Sequence, residues 1–182
     1  SMDIVGFSAG LDEENCDTET VLFGEIPSPY LGIWTSSSPS AVIEFPNQAS
    51  TFVSGLERGD NIFTLSLSST DPNCQDFISD EVNVSVQELP QANEDVFELK
   101  FLSNPVLEGD CFQNDVPNGV WSLDSITSPE FGMVEYIYEN GRNTGQFIYT
   151  ATRFAVRDSF EYELCLVDCP DLCTRATVFI EM

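Results

Sequence analysis

The chain has no histidine, and of its 182 residues only six are basic, a single lysine (Lys100) among them. Each scarcity closes a door. Without imidazole, Ser-His and Cys-His nucleophilic pairs cannot be assembled. With one lysine and no phosphate-cradling glycine loop, nucleotide chemistry has nothing to hold it. No apolar run approaches the length of a membrane-spanning helix, so membrane insertion is not expected. No segment keeps a 3.6-residue hydrophobic period over ten residues, which argues against amphipathic helices. There is no Cys-x-x-Cys pair to nucleate a thiolate metal site.

What is abundant is acid. Thirty-one Asp and Glu give a formal charge of −25. The two halves share it: residues 1–90 carry 15 acids against 1 base, and residues 91–182 carry 16 against 5. Phosphate backbones would be repelled, so nucleic acid is excluded as a partner, and anionic membrane surfaces are disfavoured. Two readings of the acidity stand: solubility in a salty medium, or partial neutralisation by Ca²⁺, which takes oxygen ligands. Hydrophobic content of 42% is enough for packed cores. Ser1-Met2 reads as a cloning remnant, so an excised segment of a longer polypeptide is expected.

The chain alternates throughout. Phe63, Leu65 and Leu67 share one face of a strand, as do Val82, Val84 and Val86. In the second half Phe160, Tyr162 and Leu164 alternate with Glu161 and Glu163, and Ala176, Val178 and Ile180 do the same further on. Turn residues recur every 8–12 positions, and Asn118-Gly119 and Asn140-Gly141 suit the positive φ of tight hairpins. Near the midpoint, Leu89-Pro90-Gln91-Ala92-Asn93-Glu94-Asp95 interrupts two extended runs. The pattern predicts an all-β protein of two tandem immunoglobulin-like β-sandwich domains with disulfides: residues 1–89, a linker at 90–95, and residues 96–182.

Six cysteines, at 16, 74, 111, 165, 169 and 173, imply bridges and an oxidising, exported setting. If each domain closes its own, the first pairs Cys16–Cys74; in the second, Cys111–Cys165 and a short staple Cys169–Cys173 are expected. Both halves then carry a Cys-Trp-Cys order, with Gly32-Ile33-Trp34 matched by Gly119-Val120-Trp121.

The first half, with Pro29-Tyr30-Leu31-Gly32-Ile33-Trp34, Thr51 to Phe63 and the closing Asp80-Glu81-Val82, resembles the PKD-like or immunoglobulin-like modules of large secreted surface proteins of Bacteroidetes. The second half resembles the cadherin-like tandem repeats of bacterial adhesins. It has Asn114-Asp115-Val116-Pro117-Asn118-Gly119, Gly132-Met133-Val134, Gly145 to Thr150, and Asp158 to Cys165. The resemblance implies a non-enzymatic spacer or adhesive segment of an exported cell-surface protein, associated with gliding motility and type IX secretion. The partners it implies are neighbouring repeats and a surface glycan or protein ligand, and the chain itself is expected to be a monomer. Cadherin-like repeats gather Ca²⁺ ligands at domain junctions, which makes Asn93, Glu94, Asp95, Asn114, Asp115 and Asp158 the candidate ligands, against a plain role in turns and caps.

The other reading is a carbohydrate-binding accessory module of a secreted polysaccharide-degrading enzyme. It requires exposed aromatics, drawn from Tyr30, Trp34, Tyr136, Tyr138 and Tyr149, where the spacer requires Trp34 and Trp121 to be buried. Asp124-Ser125-Ile126 resembles a short O-glycosylation motif of the same bacteria.

Overall fold

The computed structural model describes residues 6–70, 77–115 and 121–182, excluding the side chains of Phe77, Trp121, Asp124 and Ser125. All regular structure among them is β. The chain divides into two compact units, Ser1–Glu88 and Leu89–Met182.

Among its described residues the first unit has seven strands: β1 (Glu13–Asn15), β2 (Glu19–Phe23), β3 (Leu31–Ser36), β4 (Val42–Ile43), β5 (Ser50–Ser54), β6 (Gly59–Ser68) and β7 (Phe77–Val86). They form one sheet in the order β1-β7-β6-β3 and a second in the order β2-β5-β4. Alternation explains the layering. Asn61, Phe63, Leu65 and Leu67 of β6 and Val82, Val84 and Val86 of β7 are buried, while their sequence neighbours are not. Trp34, 2% exposed, fills the space between the sheets. Its indole Nε1–H donates to the Gln48 carbonyl at 3.0 Å, so the one polar atom of the ring is satisfied where it is buried.

The second unit repeats the plan with β8 (Asp95–Glu98), β9 (Val106–Asp110), β10 (Trp121–Ser125), β11 (Gly132–Glu139), β12 (Arg142–Ala151), β13 (Arg157–Leu166) and β14 (Cys173–Glu181). Its sheets are β10-β13-β14-β8 and β11-β12-β9. Adding seven to each strand number of the first unit reproduces the second. In both, the first strand runs parallel to the last: Glu13–Asn15 beside Val84–Val86, and Asp95–Glu98 beside Val178–Glu181. Trp34 and Trp121 lie on equivalent strands, β3 and β10, which pair with the penultimate strands β6 and β13.

The second core is aromatic. Phe147 stands edge-on to Phe97 and to Phe160, with ring centroids 5.3 and 5.2 Å apart, geometry worth roughly 1 kcal/mol per pair beyond area burial. Gly109 of β9 lies beneath the Phe147 ring, where any Cβ would collide with it. The β11–β12 hairpin turns at Asn140-Gly141, both at positive φ, as the dipeptide predicts.

The segment read as a linker is held within the second unit. The Ala92 N–H donates to Thr174 Oγ1, the Asn93 N–H donates to Asp115, and Asp95 already begins β8.

The cysteines also require correction. Cys165 bonds to Cys173, not to Cys111, and Cys173 is therefore not the partner of Cys169. The reason is register. Cys165 and Cys173 are directly opposite in the antiparallel β13–β14 pair, where side chains on one face approach each other. Cys111 is a free, buried thiol. The expected Cys16–Cys74 pair involves Cys74, outside the described residues.

Candidate functional site

One end of the second unit gathers Asn93, Asp95, Asn114 and Asp115 of the residues that the sequence singles out, and the geometry sorts them. Asp115 follows β9 and is buried. Its Oδ1 accepts the Asn93 N–H at 2.7 Å and its Oδ2 accepts the Tyr162 hydroxyl at 2.8 Å. That hydroxyl also lies 3.3 Å from the carbonyl oxygens of Asn93 and Cys111, so Tyr162 is the centre of a buried polar knot. The two asparagines tie the knot shut. Asn93 Nδ2 donates to the Asn114 carbonyl at 2.7 Å, and Asn114 Nδ2 donates to the Glu94 carbonyl at 2.9 Å. These reciprocal bonds satisfy backbone groups between two loops, the turn-and-cap role open to Asn in any loop.

Asp95 is different. It is 7% exposed, and its Oδ2 is buried without a hydrogen-bond partner. Burial raises its pKa to about 7, and the nearby carboxyls of Asp115 and Asp110 push in the same direction. Asp115 is also raised, by burial first, against the stabilising hydrogen bonds from Asn93 and Tyr162. The same burial pushes the Tyr162 hydroxyl and the Cys111 thiol upward, so neither ionises near neutrality. The Cys111 Sγ–H donates to the Gly145 carbonyl at 3.0 Å and serves as a small core residue.

Asp110 was missed in the sequence, because it is one acid among 31 and only the fold brings it toward Asp95. A cation suits an orphaned carboxylate oxygen that feels the charge of two more acids, and the oxygen donors are of the type Ca²⁺ takes. The oxygens of Asp95, Asp110 and Asp115 do not all lie within 4.8 Å of one another. Among the described residues, the set of three candidate donors within 4.8 Å of one another is Glu163, Cys165 and Cys173, and its two sulfurs are already joined in a disulfide.

Asp158 stands apart from this group. It heads the inward row Asp158, Phe160, Tyr162, Leu164 on β13, four residues and about 13 Å along the strand from Tyr162. Its Oδ1 accepts the N–H groups of Glu130 and Ser159, and its Oδ2 accepts the Phe131 N–H and the Tyr149 hydroxyl. Four donors fill the roughly four lone-pair sites of a carboxylate. Asn61 has the corresponding place in the first unit, at the head of the inward row of β6. Its side chain bonds Glu57 N–H and the carbonyls of Glu57, Gly59 and Val84.

Of the aromatics considered for sugar stacking, Trp34 and Tyr149 are buried, while Tyr138 is 62% exposed. The side chains of Trp121 and Ser125 lie outside the described residues.

No protein-family model matches the chain, and no curated protein matches it. Solved structures do resemble it. The PKD domain of the KIAA 1837 protein is 24% identical over 48% of this chain and 93% of that domain, with a TM-score of 0.38. A chicken VE-cadherin fragment, EC1-2, is 12% identical over 97% of this chain and 96% of its own, with a TM-score of 0.46. An endo-fucoidan hydrolase of glycoside hydrolase family 107 is 11% identical over 95% of this chain, with a TM-score of 0.33, and this chain spans 33% of its length.

Proposed function

We propose that the chain is a non-enzymatic, force-bearing segment of an exported cell-surface protein, a spacer or adhesive stalk of the kind the secreted Bacteroidetes modules represent. The observation that carries this reading is the parallel pairing of first and last strands, made twice. In each unit the incoming strand lies beside the outgoing one and points the same way. Tension applied at the two ends of a unit then slides these strands past each other, and every hydrogen bond of the ladder is loaded at once. A pair pulled open from one end would instead lose its bonds one by one. The buried anchors Asn61 and Asp158 lock a loop to the penultimate strand in each unit, and the Cys165–Cys173 bridge fastens β13 to β14 covalently. Stretching the full chain between its termini tests the reading. Two separate unfolding events are expected, each releasing about 30 nm in the reduced protein at roughly 3.6 Å per residue. A single event, or extension without a force peak, would overturn it.

A subsidiary proposal concerns Ca²⁺. Asp95, Asp115 and Asp110 are the residues that would hold the ion, whose charge would offset their mutual repulsion and complete the shell of Asp95 Oδ2. Asn93 and Asn114 would position those ligands through the bonds they already make, and Asp158 would take no part. Because the ion must displace the proton that the raised pKa of Asp95 favours, binding would strengthen as pH rises through about 7.

A further inference from the structure

The first unit has its own counterpart of Asp95. β1 and β7 run parallel with Glu13 opposite Val84, so the Glu13 side chain projects to the face on which Val84 is fully buried. Asp95 stands in the same place in the second unit, opposite Val178, which is likewise the middle member of its inward row. Among the described residues, Glu13 Oε1 and Asp95 Oδ2 are the carboxylate oxygens left buried without a hydrogen bond. Such an oxygen is costly, and its recurrence at one position of a repeated plan points to a ligand in each unit.

The surroundings of the two acids differ. Asp95 feels two further carboxyls, a setting for a metal ion. Glu13 instead lines a cleft of 250 Å³ whose other side chains are all apolar, chiefly Leu11, Val21, Leu22, Phe23 and Val82. Leu11 is 90% exposed and Phe23 67% exposed, so the mouth is open to solvent. At Gly10, φ 103°, the chain passes so close to Phe23 that a Cβ would lie 2.8 Å from its carbonyl oxygen, which holds one wall against the other. No water reaches Glu13 Oε1, but the side chain as a whole is half-buried, and a turn of the carboxylate presents that oxygen to the cleft.

Nothing in the first unit answers Glu13. The neighbouring acids have partners of their own: Asp12 accepts the Asn83 N–H at 2.8 Å, and Asp80 accepts the Ala9 N–H at 2.8 Å. Arg58, the one base among residues 1–90, donates to the Gln87 carbonyl instead. What fits is a cation that brings its own apolar stem. Ca²⁺ takes a full shell of oxygens, and this cleft offers a single carboxylate among hydrocarbon walls. A guanidinium spreads its donors over a broad plane and needs several acceptors, whereas an ammonium is a compact charge at the end of an alkyl chain that gains by lying on apolar surface. A second copy of this chain is disfavoured as the source, because two molecules of charge −25 repel, while a basic partner is drawn in.

We propose that this cleft docks a lysine side chain from a basic segment of a partner protein: the stem lies against Leu11 and Phe23, and the ammonium pairs with Glu13. Such a site gives an adhesive segment its partner chemistry, yet it stands apart from the force-bearing reading, which stretching alone measures.

The test uses the intact chain in about 0.15 M salt, which screens diffuse attraction. Three labelled, end-blocked peptides are compared by fluorescence anisotropy: Ser-Gly-Lys-Gly-Ser, and the same peptide with arginine or norleucine in place of lysine. Saturable binding with Kd on the order of 300 μM is expected for the lysine peptide, severalfold weaker binding for arginine and none for norleucine. Glu13→Gln should weaken the lysine peptide about tenfold, whereas Glu14→Gln, which removes the same charge from the outward face of β1, should leave it unchanged. Glutamine keeps the volume of glutamate, so both variants should melt no lower than the parent. The assignment is overturned if the lysine peptide fails to bind at millimolar concentration, if the arginine or norleucine peptide binds equally well, or if Glu13→Gln and Glu14→Gln bind alike. A Ca²⁺-dependent rise in melting temperature lost in Glu13→Gln would also overturn it, giving the carboxylate to a metal. So would a molecular mass that rises with concentration in the parent and not in Leu11→Ser, giving the cleft to a second copy of this chain.

Discussion

Asp158 accepts the Tyr149 hydroxyl at 2.7 Å, deep in the second core, and that bond decides the role of the carboxylate. With three backbone N–H groups also bound, Asp158 is a structural anchor for the turn at Glu130 and Phe131. Asp158→Ala leaves these donors buried and unpaired, and a loss of about 3 kcal/mol is expected. Denaturant melts measure it, and the loss should be the same in Ca²⁺ and in EDTA. A loss seen only in Ca²⁺ would return Asp158 to the candidate ligands.

The expectation for Asp95 follows from its raised pKa. In the folded chain it holds its proton up to about pH 7, whereas in the unfolded chain it releases it near 3.8. Between those values the folded state binds more protons, so stability falls as pH rises. Ordinary carboxylates have finished titrating by about pH 5.5. The decline between pH 6 and 8 in EDTA therefore reports on Asp95. Melting temperatures across this window should drop in the parent chain and stay nearly level in Asp95→Asn. A level parent curve would show that Asp95 is ionised without penalty.

Calcium should reverse that decline. At pH 8 the parent is expected to melt at a higher temperature in millimolar Ca²⁺ than in EDTA, by an amount set by ligand concentration over Kd. Asp95→Asn and Asp115→Asn should abolish the shift, while Asp158→Asn should retain it. Identical parent melts with and without the ion would remove Ca²⁺ from the account.

The thiols give a chemical check. Peptide mapping without reduction should recover Cys165 joined to Cys173, and Cys111 should resist alkylation until the chain is denatured. A peptide joining Cys111 to Cys165 would contradict the register described here.

How far the sequence could be read depended on the range of each interaction. Alternation at Phe63, Leu65 and Leu67, and at Phe160, Tyr162 and Leu164, marked the strands because burial of one sheet face acts on every second residue. Asn140-Gly141 marked its turn because positive φ is a local demand. The bridge was legible too, had register been used: Phe160 faces Val178, and the same pairing sets Cys165 opposite Cys173. Preference for a long bridge beside a tryptophan hid it. The acids were harder. Asn93 and Asn114 resemble ligands in sequence but spend their amides on each other's loops, and Asp158 spends its oxygens on a core tyrosine. Only the placement of β8 beside β14 takes Asp95 out of water and leaves one of its oxygens alone. No local pattern encodes that.

The central claim is that the paired terminal strands bear tension, and direction-dependent stretching of the intact chain tests it most directly. Pulling from the two termini shears β8 along β14. Pulling through handles at residues 130 and 152 parts β11 from β12 at one end of their antiparallel ladder, where Thr152 N–H meets the Phe131 carbonyl. The account predicts that the second unit resists the terminal pull at severalfold higher force than the pull through 130 and 152. Equal forces, or a weaker response along the termini, would contradict it.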